Sequence, residues 1–584
     1  MKKQDLYSKE EKLFQDKNKI YSAQYKKQII YSTDARDFGQ VAKSIPCQDA
    51  CPAKTNIPGY IRAIYEKRYG RAYELNRGAN ILPGILGRIC AKPCESSCRH
   101  GESDNGQSVG ICHLKRSCAD LKPGSHRIIE GLYTPTEKKV AVIGSGPAGL
   151  ATAHSLAVLG HKVVIFESME KPGGMLMYGI PEFRLPRDLL MLEIKNILRL
   201  GIELKTNKAV GSDISLSQLK NEYDAVVVAA GCVSPRKFDI FGENLENVYN
   251  GLDFMKAVNE GKKPFVGDKV AVIGAGFTAV DCARSAVRLG ATDVSINIRK
   301  TIEYMRIDET EKHEAQFEGI KIYSLIQPSR IIGDGGKVTA IEFNRTRMEK
   351  TDSPPYKISI PIKNSQFSVS VDCVIAALGQ IPDVNVVSKE PEAMDGVFSA
   401  GDFVTGSSDV ISAIAGGREC AAKIDEYLVG EKRKQTVVRL ETHDTTDRQR
   451  SYDFIDKIEM NTIDMEERLS KSTHEVETGY TEDQAHEEAK RCYLCSLKYE
   501  IDPLACIYCS ACIDVAPKDC IKMIESVPVN PDGTYGKYEE TDDWNKVVSI
   551  AIDTAKCIRC GQCLAVCPMD CISVTKTELI EIDT

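Results

Sequence analysis

No stretch of this 584-residue chain approaches the roughly 20 consecutive apolar residues that a membrane-spanning helix requires. The opening MKKQDLYSKEEKLFQDKNKI has no apolar core of signal-peptide length. Both absences point to a soluble cytoplasmic protein with no membrane partner. A basic surplus is also lacking: the formal net charge is -7, which excludes a phosphate backbone, and so nucleic acid, as the expected partner. Cysteine is plentiful at 22 residues but scarce in the middle, with seven from 47 to 118, eleven from 492 to 571 and only four between. A disulfide framework belongs to short secreted chains, and these thiols cluster at CxxC spacing, so metal or cluster ligation is the better account. The length exceeds what one core organises, and 42% apolar with 27% charged residues is ordinary globular composition. Three or more domains are expected.

The sulfur-poor middle holds one local pattern twice. In KKVAVIGSGPAGLATAHSLAVLGHKVVIFE, an apolar strand precedes the turn Gly144, Gly146 and Gly149, an Ala/Leu-rich helix follows, and Glu167 ends the next strand. Glycine lets the backbone approach a pyrophosphate at the positive end of the helix, and the acid can accept from a ribose hydroxyl. The second unit, KVAVIGAGFTAVDCARSAVRLGATDVSINIRK, turns at Gly274, Gly276 and Ala279 and carries Arg299 and Lys300 where the first has its acid. Cations there suit a 2'-phosphate, so the second site is expected to take NADPH and the first the adenosine of FAD. Solvated surface charge is the plainer account of the same two cations. YDAVVVAAG, ending at Gly231, and VDCVIAALG are apolar strands closing in small residues, which permits close approach to a cofactor. In GVFSAGDFVTGSSDV, Gly401 and Asp402 precede a helix expected from Ser408, where an acid could meet the ribityl chain of a flavin. A strand-end capping role is the alternative for Asp402.

These units, with GGMLMYGIPEFRLPRDLLMLEI (173 to 194, containing Gly174), resemble the small subunit of glutamate synthase and its relatives among NADPH-linked iron-sulfur flavoproteins. The resemblance runs from about residue 45 to 430. It implies a multidomain α/β chain with an N-terminal α-helical iron-sulfur domain (45–130) behind a polar extension (1–44). Two Rossmann-like domains would follow in a glutathione-reductase-like arrangement: FAD at 138–250 and 372–430, NAD(P)H at 251–371. Disulfide reductases share the double fold but need a cysteine pair beside the flavin. Cys232, Cys282, Cys373 and Cys420 have no near partner in sequence and read as core residues.

In GRICAKPCESSCRHG, Cys90, Cys94 and Cys98 are four apart and would line one face of a helix, with Cys51 supplied from an earlier loop. The resemblance implies a 4Fe-4S cluster on Cys51, Cys90, Cys94 and one of Cys112 or Cys118. Relatives commonly carry a second cluster that uses a CxxC ahead of the position of Cys47, and this chain has none there. A second cluster would have to reuse Cys47, Cys98 and the remaining thiols.

Residues 431–491 read as a linker or strap ending in a helix capped at Thr481. From 492 to 584 the tail is expected to be α+β and resembles two-cluster bacterial ferredoxins. CIYCSACIDVAPKDCI and CIRCGQCLAVCPMDCI are offset copies, and in that pattern the fourth cysteine of each copy serves the other copy's cluster. Cys506, Cys509, Cys512 and Cys567 then make a complete set, whereas Cys557, Cys560 and Cys563 face Ala516. Cys520, four residues on, is the first candidate for the vacant place; Cys492 or Cys495 swinging in, or a cluster lacking one iron, are the others. A zinc ribbon is the non-redox alternative.

Three or four clusters, FAD and NADPH make one circuit, because a nicotinamide gives a hydride and clusters take single electrons. The expected activity is an NAD(P)H:acceptor oxidoreductase exchanging electrons with ferredoxin or a larger redox enzyme, as an oligomer or complex subunit. A glutamate synthase small subunit and a non-catalytic relay are the competing readings. No acid-base or nucleophilic side chain is required.

Overall fold

Prolines and buried Ile/Leu positions set the character of the first module: Pro46, Pro58, Pro83 and Pro93 each open a short helix at its first or second position, where their missing N–H costs nothing. The computed structural model describes residues 45–102, 107–124, 130–351, 357–382, 394–526 and 539–584. The polar extension 1–44 lies outside them. Seven short helices between Pro46 and Asp120 form the module, and its buried residues are continuous with the core of the fold that follows.

That fold is a five-stranded parallel sheet in the order Val397–Ser399, Ala225–Val228, Lys139–Ile143, Lys162–Phe166, Glu203–Lys205. A second five-stranded parallel sheet runs Val248–Asn250, Cys373–Ala376, Lys269–Ile273, Asp293–Asn297, Lys321–Tyr323. The identical KVAVI pentapeptide is central in both, with only its lysine exposed. Purely parallel strands are buried on both faces, which is why they read as unbroken apolar runs.

Two expectations change here. The strand Cys373–Ala376, expected to open the second FAD segment at 372, pairs with Lys269–Ile273 in the second sheet. The chain returns to the first sheet only at Val397–Ser399. Residues 431–491 are also more than a linker. Lys434–Thr442 pairs along the whole length of the last strand, Ile572–Asp583, from Lys434↔Asp583 to Thr442↔Thr575. The helix Glu482–Lys490, with the expected Thr481 cap completed by Gln484 as a capping box, packs on the helical module.

The tail forms one three-stranded antiparallel sheet by itself and a second with Lys434–Thr442, and holds two five-residue helices, Ala511–Val515 and Gln562–Val566, each directly after a CxxCx turn. Among the described residues no helix is long and apolar enough to cross a membrane.

Candidate functional site

The first glycine turn is shaped by contacts that only glycine tolerates. A Cβ on Gly149 would stand 2.0 Å from the Gly144 carbonyl oxygen, and one on Gly174 would stand 2.9 Å from the Cα of Gly146. Gly146 itself faces open space, as a cradle for a diphosphate must. Glu167 is buried, and its carboxylate accepts from the Ser145 backbone N–H at 3.0 Å, from the Ser145 hydroxyl, and from Met169 N at 2.8 Å. It thus braces the turn, and Ser145 is a positioning residue that spacing alone did not single out. Gly231, at φ 67°, follows the strand Ala225–Val228 into open space. Gly401 sits where a Cβ would come within 2.5 Å of Ala148 Cβ, and Gly417, where a Cβ would meet Ala148 O at 2.4 Å, lets the helix Val410–Val429 close on Pro147–Val158. That helix starts two residues later than expected and is capped by Asp409. Asp402 is pushed up by burial while the Ser408 hydroxyl, donating to it, pulls the other way.

The second turn repeats the plan. Gly276 is open, Ala279 is fully buried, and a Cβ on Gly274 would meet the Ala377 carbonyl oxygen at 2.4 Å. Arg299 is exposed beyond the strand Asp293–Asn297, and its carbonyl accepts from Thr346 Oγ1 at 2.7 Å. Lys300 Nζ lies 4.9 Å from the centre of the Tyr304 ring. A third cation, missed in the sequence, joins them: Arg306 donates its backbone N–H to Ala275 O at 2.8 Å and bridges to Gly276. Nothing local marked Arg306, because the chain returns to the turn only after an intervening loop.

The expected cysteine face is not one face. The backbone turns extended at Cys90, Lys92 takes φ 58°, and only Pro93–Ser96 is helical, so Cys98 is separated from its neighbours. The Cys90 thiol donates a hydrogen bond to Cys112 and the Cys112 thiol to Cys94, and the buried Lys115 feels Cys90, Cys112, Cys94 and Cys51 together. Burial would lower the Lys115 pKa; these four thiols win and raise it. Cys118 instead donates to Lys115 O at 2.9 Å.

In the tail, one cavity is lined by Cys506, Cys509, Cys512, Cys567 and Cys571, and another by Cys520, Cys557, Cys560 and Cys563. Ala516 borders the second, and Cys520 reaches Cys557. The Cys520 thiol donates to Cys557, holding the latter below the usual thiol range against the opposing effect of burial. The turn before Cys520 is a 3-10 turn with Lys518 and Asp519 at positive φ. No disulfide links any of the cysteines. Among the described residues, no three His, Cys, Asp or Glu side chains gather around a point as one metal ion would require. A tetrahedral zinc needs its sulfurs about 2.3 Å from one centre; here the thiols ring cavities, which suits a cubane ligated at its corners. Cys232, Cys282, Cys373 and Cys420 are all buried, as expected of core thiols.

Residues 138–417 match the family model of pyridine nucleotide-disulphide oxidoreductases. Residues 17–126 match dihydropyrimidine dehydrogenase domain II with its 4Fe-4S cluster, and 505–571 match a 4Fe-4S dicluster domain. The beta subunit of NADPH-Fe(3+) oxidoreductase from Geobacter sulfurreducens is 32% identical over 527 residues, 80% of this chain and 78% of that one. The chain belongs to the NADPH-linked iron-sulfur flavoprotein oxidoreductases. Another member, the glutamate synthase [NADPH] small chain of Azospirillum brasilense, is 33% identical over 65% of this chain and 86% of its own. The beta subunit of NADP(+)-dependent formate dehydrogenase from Moorella thermoacetica is 35% identical over 66% of this chain, which spans 60% of that relative. Flavin, pyridine nucleotide and 4Fe-4S clusters are the cofactors of this flavoprotein family, and both glycine cradles and the cysteine-lined cavities fit them.

Proposed function

We propose that the chain is an FAD-dependent NAD(P)H:acceptor oxidoreductase, exchanging electrons between NADPH and its iron-sulfur clusters and, through its tail, with ferredoxin or a larger partner enzyme. The observation that carries this is the direct packing of the thiol-rich module on the first dinucleotide fold. Glu193, on the helix Arg187–Leu198 of that fold, is buried and accepts from Gly84 N at 3.0 Å, Ile85 N at 3.1 Å and Tyr73 OH at 3.2 Å of the module. Bound flavin supplies the interconversion of a hydride's electron pair and single electrons.

The chain's own residues bind and orient. Gly144, Gly146, Gly149, Gly174, Gly231 and Gly401 admit the FAD backbone closely, Glu167 fixes the diphosphate turn, and Asp402, which opens the short helix Asp402–Thr405, would meet the ribityl chain. Gly274, Gly276 and Ala279 do the same for the nicotinamide nucleotide, with Arg299, Lys300 and Arg306 for a 2'-phosphate. Cys51, Cys90, Cys94 and Cys112 hold one cluster. Cys506, Cys509, Cys512 and Cys567 hold a second, and Cys520, Cys557, Cys560 and Cys563 a third. The relatives named as beta or small subunits support a place in a larger complex.

Adding NADPH to the oxygen-free protein bleaches the flavin absorbance and then the broad iron-sulfur absorbance. An unchanged spectrum would sink this reading in favour of a passive relay. A second reading, input subunit of a glutamate synthase, is favoured by the Azospirillum similarity. Glutamate formation on adding a large subunit separates the two.

A further inference from the structure

Two cysteines of the tail line neither of its cavities. Cys492 and Cys495 stand just beyond the strap helix Glu482–Lys490, ahead of both repeats. In the helical module Cys47 and Cys98 are likewise left over from the set around Lys115. The fold brings the two remainders together. The strap helix packs on Ile57–Tyr65 and Ile111–Asp120, with Tyr65 and His486 stacked at 4.9 Å between ring centres. Arg491 donates to Gln107 O at 2.7 Å and Ser108 O at 3.1 Å. Tyr493 packs on His100 at 5.0 Å, so the Cys-Tyr-Leu-Cys turn lies against the segment that carries Cys98. Cys47 and Cys495 belong to one buried core, and Cys98 and Cys492 pack at its edge. Cys495, Cys492 and Cys98 all stand close enough to Cys47 to act on it electrostatically.

We propose that Cys47, Cys98, Cys492 and Cys495 form a fourth iron-sulfur site, holding a 4Fe-4S cluster whose ligands come two from each end of the chain. This rests on the iron-sulfur part of the proposed function and adds a site to it. Two cations that also face Asp453 border the set. Arg448 is buried, donates to Cys492 O at 3.2 Å and lies 4.8 Å from the Tyr493 ring centre; Lys518 donates to Tyr493 OH at 2.7 Å. His100 Nε2 is buried without a hydrogen-bond partner two residues from Cys98.

The site also closes a gap. Tyr60, fully buried, feels Cys94 and Cys112 of the module's set and also Cys47. Arg448 donates to Cys492 O and to Ile558 O, the latter at 2.9 Å, beside the cavity of Cys557. Cys563 of that cavity feels Cys512 of the last one. The four thiol sets therefore form a row, and without the composite set the row is broken between the module and the tail. The strap exists, on this account, to deliver the CxxC that the N-terminal half lacks.

Iron, acid-labile sulfide and flavin counted on the full-length protein prepared without oxygen test the assignment. The unaltered chain is expected to hold about sixteen irons, and C492A/C495A about twelve with flavin unchanged. C47A/C98A is expected to match it, and the quadruple variant to lose no more, because one site is removed. An undiminished count in C492A/C495A, or about eight irons in the quadruple variant, overturns the proposal. If a variant loses its flavin, and with it its fold, the unaltered protein decides. During slow chelation of iron, pulsed alkylation and peptide mapping should find Cys47, Cys98, Cys492 and Cys495 becoming reactive at one common rate. Cys492 and Cys495 keeping step with Cys560 and Cys563 instead would overturn it. A chain with about twelve irons, unchanged in C492A/C495A, sinks this site and leaves the NADPH reading standing; one with no iron sinks both.

Discussion

Ala516 and Cys567 hold nearly the same backbone conformation, φ -71° and ψ 119° against φ -73° and ψ 112°, each ending a five-residue helix. The first repeat therefore keeps the turn without a sulfur on it, and Cys520, four residues farther along the chain, lines the same cavity. Cys520→Ala is expected to remove about four irons per chain. Adding Ala516→Cys in that background should restore them, since the backbone there already has the ligand geometry. Iron and sulfide counts with low-temperature EPR check both outcomes.

The other cavity has a thiol to spare. Cys567 and Cys571 approach to 3.4 Å between sulfurs, and both line it with Cys506, Cys509 and Cys512. Cys571→Ala should leave the iron count unchanged, whereas the Cys567→Ala/Cys571→Ala pair should lose about four irons. A loss in the single Cys571 variant would make Cys571 the ligand.

Arg299 and Lys300 follow the strand Asp293–Asn297 that pairs with the strand leading into the second glycine turn, and Arg306 meets that turn through its backbone. Replacing Arg299 and Lys300 together by alanine is expected to raise KM for NADPH about tenfold or more, because charge-assisted contacts to a phosphate are lost. KM for NADH and the limiting rate should change little. Equal effects on the two nucleotides would return these cations to the status of surface charge.

Glu318 is enclosed by cations from two elements: Arg284 and Arg288 of the helix Phe277–Arg288, and Arg468 of the strap helix Met465–Ser470, with Glu314 also facing Arg284 and Arg468. Burial alone would raise its pKa, but the Arg288 and Arg284 contacts outweigh it and hold the carboxyl at about 2. A depressed carboxylate contributes stability that is present above its unfolded value, about 4.3, and is lost as pH falls toward about 2. The contribution is roughly 3 kcal/mol. Acid should therefore loosen the strap from the second dinucleotide fold across that window, read as hydrogen exchange over 463–471. Glu318→Gln should exchange faster at neutral pH and show no step in that window.

Glu488 and Arg491 form an ion pair at 2.7 Å with both side chains essentially unexposed, and Glu488 also accepts from Gly110 N and Ile458 N. Glu488→Ala leaves a buried guanidinium unpaired, at a cost of about 3–5 kcal/mol. Hydrogen exchange over 481–495 should accelerate by orders of magnitude while the two parallel sheets stay protected.

What was legible beforehand was short-range. The two KVAVIG strands and the Thr481 cap each depend on residues close in sequence, and each forms as expected. The failures share a cause too. Cys90, Cys94 and Cys98 obey helical spacing, but a left-handed Lys92 and the break at Cys90 send Cys98 elsewhere. Cys373–Ala376 has the same apolar composition whichever sheet it joins, and only pairing with Lys269–Ile273 assigns it.

The amino-acid order alone determined the kinds of chemistry present: glycines where a phosphate must approach, cations where an acid would serve a different ribose, thiols at cluster spacing. These are properties of a few consecutive backbone units, so no distant contact is needed to read them. Only the tertiary structure decided which thiols meet. Packing the strap helix on the module, with a buried Arg491 and Glu488 to hold it, sets Cys492 and Cys495 beside Cys47 and Cys98. Ligand sets assembled from opposite ends of a chain are fixed by packing of apolar faces and buried charge, and such packing leaves no spacing rule in the sequence.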